Sequence, residues 1–289
     1  MTLLEAVRNE IAKRGLNVEV GLQFVTKPNG SYTGIQFVKP GAVMTPCFRI
    51  TNGQHSDFEL SALHTEDEIM SYAKKLVDKY VSVLNQQRTS IDQTISKDYI
   101  LKNVVPALVQ TSRNREALKN YISRPFLDLS IILRVVVDET EDIESSYTIT
   151  KSIAASLEES DGVTEDDLFF AARKNLEERK MLIQSVGETL GLPIFPPMYV
   201  LQAGIVHGAS VLLRQDALVE VAKKLGTETI AIIPSSVHEV LAIPLKSMNV
   251  PEIDSIIDSV NTNDVDDDEI LSDHVYFFSV ASGQVSMPE

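Results

Sequence analysis

The sequence contains one cysteine, no tryptophan, 6% aromatic residues and no long hydrophobic run. Each shortage excludes a class of protein. With Cys47 alone, an internal disulfide framework and a multi-cysteine zinc site are ruled out. Few aromatic rings leave little material for platforms on which single-stranded bases stack. No stretch reaches the roughly 18 unbroken apolar residues of a membrane-spanning helix. The longest candidate, Phe126 to Val137, is interrupted by Asp128, Ser130 and Arg134. The opening residues carry Glu5 and lack a long apolar core, unlike a secretory leader. The expectation is a cytoplasmic protein.

Positive charge is also scarce. Lys and Arg number 26 against 41 Asp and Glu, a formal net charge of −15. A field of that sign repels phosphates and anionic membrane surfaces, so neither nucleic acid nor a membrane is expected as a partner. No Walker loop, no G-x-G-x-x-G and no G-x-S-x-G is present.

What is present fits a globular chain of one large or two moderate domains: 289 residues, 44% of them hydrophobic. Thr2 with Glu5 forms a capping-box pattern opening a helix to Arg14, with Leu4, Val7 and Ile11 on one face. Val18, Val20, Leu22 and Phe24 alternate as on a half-buried strand, and Asn29-Gly30 signals a hairpin into Tyr32 to Val38. A third strand is expected over Met44 to Ile50. Thr65 with Glu68 opens the longest helix, to about Arg88. The polar run Gln86 to Ser96 separates an N-terminal α+β region, 1–90, from a larger α+β domain, 97–289.

In that larger part, Tyr99 to Gln110 with Pro106 reads as an edge strand or a broken helix. Ser112 is expected to cap a short basic helix through Tyr121. Phe126 to Val137 reads as a central two-sided strand with Ser146 to Thr150 as partner, and Thr164 with Asp167 opens a helix. Strands are expected at Met198 to Leu201, Ala209 to Leu213, Thr229 to Ile233, Val237 to Ile243 and His274 to Phe278. Helices are expected at Asp216 to Leu225 and Pro251 to Val260. This order implies an α+β fold with mixed, mostly antiparallel sheets and packed helices.

Several stretches carry a resemblance. They are Tyr32-Thr33-Gly34-Ile35, Phe126-Leu127-Asp128-Leu129, Lys174-Asn175, Met198-Tyr199-Val200-Leu201 and His207-Gly208-Ala209-Ser210. Two more are Pro234-Ser235-Ser236-Val237-His238-Glu239-Val240 and Leu271-Ser272-Asp273-His274-Val275-Tyr276. In this order they resemble the bacterial family known as domain of unknown function 5688, over nearly the whole chain. The resemblance implies no activity, cofactor or catalytic residue to carry over. It implies a bacterial or phage setting, with a link to mobile elements. The run Asp264 to Glu269 is more acidic than the resemblance leads one to expect.

The chemistry-bearing residues cluster in few places. Ser235, Ser236, His238 and Glu239 put hydroxyl, imidazole and carboxylate within five residues, the inventory of a nucleophile, its base and an orienting group. On a strand from Val237 onward, Ser236 and His238 would share a face and Glu239 would point away. The competing reading is a polar turn. His238-Glu239 lacks the second histidine of a zinc-protease helix, since position 242 is Ala242. Asp273 and His274 could complete a site with His238, or cap a turn at a strand edge. A metal held by His207, His238 and His274 is an open geometry. The acidic run 261–269 lacks the glycine and ligand spacing of a calcium loop. Arg113, Arg115, Lys119 and Arg124 form the basic cluster, either for a phosphate at a helix start or for pairing with carboxylates.

These features favour a non-enzymatic binding or regulatory protein with a protein or small-molecule partner and no cofactor or metal. The alternative is a hydrolase or nucleotide-processing enzyme centred on 234–239, with Ser236, His238, Asp273 and His274 as catalytic candidates. Ser235, Ser236, His238, Glu239, Arg113 and Arg115 are the ligand-binding candidates. Oligomeric state is left open.

Overall fold

Thr2 and Glu5 start the first helix. The Thr2 hydroxyl accepts the Glu5 amide N–H and the Glu5 carboxylate accepts that of Thr2, so two backbone donors with no helical partner are satisfied. A computed structural model describes residues 1–40, 47–49, 65–87, 96–139, 144–193, 195–247 and 249–288. The chain divides into two compact units, Met1–Gln93 and Thr94–Glu289.

In the first unit α1 (Leu3–Lys13) is followed by the antiparallel strands β1 (Glu19–Lys27), β2 (Gly30–Val38) and β3 (Cys47–Arg49), and by α2 (Glu66–Gln87). Lys27 pairs with Gly30, so the hairpin turn is Pro28-Asn29, one residue earlier than the sequence reading placed it. Pro28 decides this. Its ring suits the first central position, and Asn29 takes the positive φ of 62° at the second, as in a type II turn. Val7, Ile11, Val20, Ile35, Leu76 and Tyr80 form the core, with Phe37 stacked on Tyr80 at 4.5 Å. Leu22 and Phe24 share the alternating face of Val20 yet are 59% and 63% exposed. Alternation fixes the face of a strand, not how far its cover extends. Met44 to Pro46, Ile50, Arg88 and the side chains of Val83 and Leu84 lie outside the described residues.

The second unit opens with α3 (Lys97–Asn103), which passes directly into β4 (Val104–Gln110). Helix and edge strand, posed as alternatives, both occur in succession. Pro106 is accommodated because β4 lies at a sheet edge, in the order β4, β6, β5. A short α4 (Arg115–Leu118) has Asn114 at its start with no side-chain cap, which corrects the expected Ser112 cap and the longer helix. Then come β5 (Ser123–Phe126), β6 (Leu129–Glu139) and β7 (Glu144–Thr148). β6 is central: β4 runs along one side, and β5 and β7 lie end to end along the other. The single strand expected from Phe126 is therefore a hairpin. Phe126 ends β5, and the chain turns at Leu127, at φ 57°, and Asp128. An apolar Leu in the turn hid it.

The helices α5 (Lys151–Asp161) and α6 (Glu165–Glu178) follow, the second with the Thr164–Asp167 capping box. Next are β8 (Met181–Ser185), α7 (Val186–Leu190), β9 (Tyr199–Ala203) and a 3-10 helix, Gly208–Leu213. That 3-10 helix replaces the strand expected over Ala209 to Leu213. A short fully buried apolar run carries no period that separates the two. α8 (Gln215–Leu225), β10 (Thr229–Pro234), β11 (Val240–Pro244), a 3-10 turn (Leu245–Ser247), α9 (Val250–Asn263), β12 (Tyr276–Ser279) and β13 (Gln284–Ser286) complete the chain. α5, β8, α7 and β13 have no counterpart in the sequence reading.

Six strands form one antiparallel sheet in the order β13, β12, β10, β11, β9, β8. Its two faces alternate along β10. Ile230 and Ile232 join a core with Leu218 and Val221 of α8 and Leu108 and Leu129 of the four-stranded sheet. Ala231 faces the other way, with Ile253 and Ile257 of α9. A further core joins α3, α5 and α6 to β6 through Ile100, Leu133, Leu157 and Leu168. The fold is α+β with antiparallel sheets. Among the described residues no helix is long and apolar enough to cross a membrane.

Leu108 is fully buried where the two sheets of this unit meet. Leu108→Ala is expected to lower unfolding stability by about 2–5 kcal/mol in urea titration. Leu182→Ala, at a partly exposed position of β8, should cost less than about 1 kcal/mol.

Candidate functional site

The residues Ser235–Glu239 form the loop between β10 and β11, since Pro234 and Val240 make the last ladder pair. β11 begins at Val240, so the strand expected from Val237 is corrected, and the polar-turn reading holds. The Ser236 N–H donates to the Glu239 carbonyl (3.2 Å), and the His238 N–H donates to Ser236 Oγ (3.0 Å). A hydroxyl that accepts the amide two residues on is the serine form of a side-chain-closed turn. Ser235 Oγ donates at 3.5 Å to Glu239 Oε1. The buried Val237 fastens the loop at both of its backbone groups: its N–H donates to the Glu269 carbonyl (2.8 Å) and its carbonyl accepts from Ala209 (3.2 Å).

One ring nitrogen of His238 is hydrogen-bonded, and the other lies near a carboxylate. Nδ1 accepts the His207 backbone N–H at 3.2 Å, which assigns the ring proton to Nε2, 3.5 Å from Glu269 Oε1. A serine nucleophile needs an imidazole nitrogen open to its hydroxyl. Among the described residues no hydrogen bond joins Ser236 Oγ to the His238 ring. The loops on either side are close. A Cβ on Gly208 would lie 2.4 Å from the His238 carbonyl oxygen, so only glycine fits there.

His207 itself adopts φ 56°, and its Nδ1 is buried without a hydrogen-bond partner. Its ring centroid is 5.9 Å from that of His238. Burial, with the Arg134 guanidinium and His238 beside it, holds the His207 imidazole well below the usual histidine range. Arg134 is buried too and donates to the Val206 carbonyl (3.3 Å) and to Ser146 Oγ (2.5 Å).

Asp273 and His274 do not join this group. Asp273 accepts from Gln110 Nε2 and Asn261 Nδ2, both at 3.0 Å, with Arg113 at 3.7 Å. His274 is exposed, and its backbone N–H donates to Ser272 Oγ (3.1 Å). Next to it is a half-buried knot. Asp128 accepts the Tyr276 hydroxyl (2.7 Å) at one oxygen and the Ser272 hydroxyl (2.8 Å) at the other. Burial and Asp128 hold the Tyr276 phenol well above its ordinary range. Among the described residues no three His, Cys, Asp or Glu side chains gather to hold a metal, and so the three-histidine geometry is not formed.

The basic cluster resolves into separate ion pairs. Arg113 lies near Asp267 and Asp273, Lys119 pairs with Glu116 at 2.6 Å, Arg124 pairs with Asp166, and Arg115 is exposed. The one turn of α4 offers no helix start for a phosphate.

The concave feature lies elsewhere. A cavity of about 450 Å³ is walled by Phe126 and Ile131 of one sheet, Phe278 and Val285 of the other, Phe169, Ala172 and Leu176 of α6, and Leu218 of α8. Arg124 and Arg173 are its only charged lining residues among those described. The Arg124 guanidinium packs on the Phe169 ring, 4.1 Å from its centroid. The Gln215 amide reaches the cavity because Gly283, at φ 66°, leaves room: a Cβ there would sit 2.2 Å from Gln215 Nε2. A second cavity of about 390 Å³ adjoins it and shares Arg173, Leu176, Leu213 and Gln215. Sequence reasoning missed this cavity. Its walls come from eight elements between Pro106 and Val285, and no local pattern marks such a gathering.

The profile of a family of unknown function, DUF5688, matches residues 2–280. The chain belongs to that family. No curated protein and no solved structure matches it. The stretches that carried the resemblance to DUF5688 hold structural work here. Asp128, Ser272 and Tyr276 tie one sheet to the other. Asn175 donates to the carbonyls of Leu101 and Val104, fixing α6 to the junction of α3 and β4.

His238→Ala removes the acceptor of the His207 amide and is expected to cost about 1–3 kcal/mol in urea unfolding. His238→Asn, whose Oδ1 can accept the same N–H, should recover more than half. His207 sets a pH response. Its folded-state value is depressed, so below the ordinary value of about 6.5 the unfolded chain binds the extra proton and stability falls with pH. The expected loss between pH 6.5 and 5.5 is up to about 1 kcal/mol, and His207→Gln should flatten that part of the profile.

Proposed function

We propose that this protein is a non-enzymatic binding protein whose ligand is a small molecule held in the cavity between the two sheets of residues 94–289. The observation that carries the reading is the cavity itself. At about 450 Å³, half open to solvent, with aromatic and aliphatic walls and a few polar groups, it has the size and mixed lining of a small-ligand site. The alternative Ser/His enzyme loses support from the same geometry. His238 Nδ1 is taken by the His207 amide and Nε2 points toward Glu269 rather than toward Ser236, Ser236 serves its own turn, Asp273 bonds Gln110, and His274 is exposed. A bacterial cytoplasmic setting belongs to the proposal and is supported by the single cysteine and the excess of acidic residues.

Titration with N-phenyl-1-naphthylamine, a neutral apolar fluorophore, tests the reading. Saturable fluorescence enhancement at one probe per chain is expected, and Val285→Trp, which projects bulk into the cavity from the edge strand β13, should abolish it without lowering the thermal midpoint. Absence of binding to the wild-type chain, or binding indifferent to Val285→Trp, would sink the proposal.

A further inference from the structure

We infer that the cavity takes a carboxylate-headed amphiphile, with the head on the Arg124 guanidinium and the apolar body among Phe126, Leu218 and Phe278. This rests on the cavity reading above and adds to it the charge and shape of the ligand.

The first argument is compositional. The chain carries 41 acidic residues against 26 basic ones, so a lining drawn at random from it would hold more carboxylates than cations. The cavity lining reverses this: among the described residues it holds two arginines and no Asp or Glu. An apolar chamber whose only formal charges are positive favours a ligand with a single anionic group.

The second argument is the state of Arg124. One face of its guanidinium packs on Phe169, which limits the rotamers the side chain can visit. A planar fork held in this way loses little freedom on accepting a carboxylate through two N–H groups. Its present partner, Asp166, is a side chain 90% exposed on the first turn of α6. An exposed ion pair contributes little to stability, so a ligand carboxylate can replace Asp166 at small cost. The ligand then gains what Asp166 lacks, an apolar chain that leaves water on binding. Arg173 pairs only loosely with Glu177, at 3.8 Å, and supplies a second cation at the rim.

The net charge of −15 does not oppose this strongly. At about 0.1 M salt, charges more than about 10 Å apart are largely screened, so the carboxylates a ligand must compete with are the arginines' own exposed partners, Asp166 and Glu177. The volume fits a medium-length acyl chain better than a sugar or nucleotide, whose many hydroxyls would find only Gln215 and Gln284 as uncharged side-chain partners in the lining.

Isothermal titration calorimetry of the full chain with octanoate and with 1-octanol tests the inference, because the two share an apolar body and differ in the head. Octanoate is expected to bind at least tenfold more tightly. Arg124→Gln should reduce octanoate to the affinity of 1-octanol and leave 1-octanol unchanged, whereas Arg124→Lys should keep part of the preference. Val285→Trp should abolish both. Equal binding of the two, or a preference that survives Arg124→Gln, overturns the carboxylate assignment while the cavity reading stands. Binding of neither by a chain that still takes the neutral fluorophore overturns the amphiphile assignment alone. Loss of fluorophore binding as well removes the cavity reading with it.

Discussion

The Asp128 carboxylate is the joint on which the second unit depends. It sits in the β5–β6 turn, and both its oxygens are taken by hydroxyls from the other sheet, Tyr276 on β12 and Ser272 just before it. The half-buried carboxylate takes up the hydroxyls of two buried residues, Ser272 and Tyr276, which would otherwise lack this partner, and so favours the arrangement of the sheets that brings all three together. The cavity follows from this joint. Phe126 lies two residues before Asp128, and Phe278 lies two residues after Tyr276 on the same face of β12. Both are wall residues, so the bond that sets the spacing of the sheets also sets the spacing of the cavity walls.

The histidine loop serves the same architecture from another side. Val237, His238 and Gly208 lock the β10–β11 connection to the start of the 3-10 helix, with no more than a glycine's width between them. That 3-10 helix leads into α8, which contributes Leu218 to the cavity. His207 stays uncharged because its burial and the neighbouring Arg134 guanidinium both disfavour a second positive charge there. The residues that looked most like catalysis are therefore fixed in place by backbone partners, and the less conspicuous apolar residues wall a void whose charged lining residues, among those described, are two arginines.

Local rules were readable from the sequence. Both N-terminal capping boxes, the Thr164 cap and the central position of Leu129 to Val137 follow from side-chain reach and from β-branched runs. Readings failed where one residue overrode a pattern. Pro28 moved a turn, Leu127 hid another, and the buried run Gly208 to Leu213 had no period to betray a 3-10 helix. The candidate site was barely legible. The sequence marks Arg124 only as part of a basic cluster, for a phosphate at a helix start or for pairing with carboxylates, and the second is what it does with Asp166. Phe126, Phe169, Leu218 and Phe278 each look like ordinary core residues, and their joint role depends on the spacing of two sheets that no short window encodes. The motif Leu271 to Tyr276 was conspicuous, yet its Ser272 and Tyr276 act on Asp128, 144 and 148 residues away along the chain.

The most direct test of the central claim is a crystal structure of the full chain pressurised with xenon, which settles in apolar voids without needing a guess at the natural ligand. The account predicts xenon density between Phe126, Leu218 and Phe278, with the Asp128 carboxylate still bonded to Tyr276 and Ser272. Side chains collapsed across that space, with no xenon between them, would contradict it.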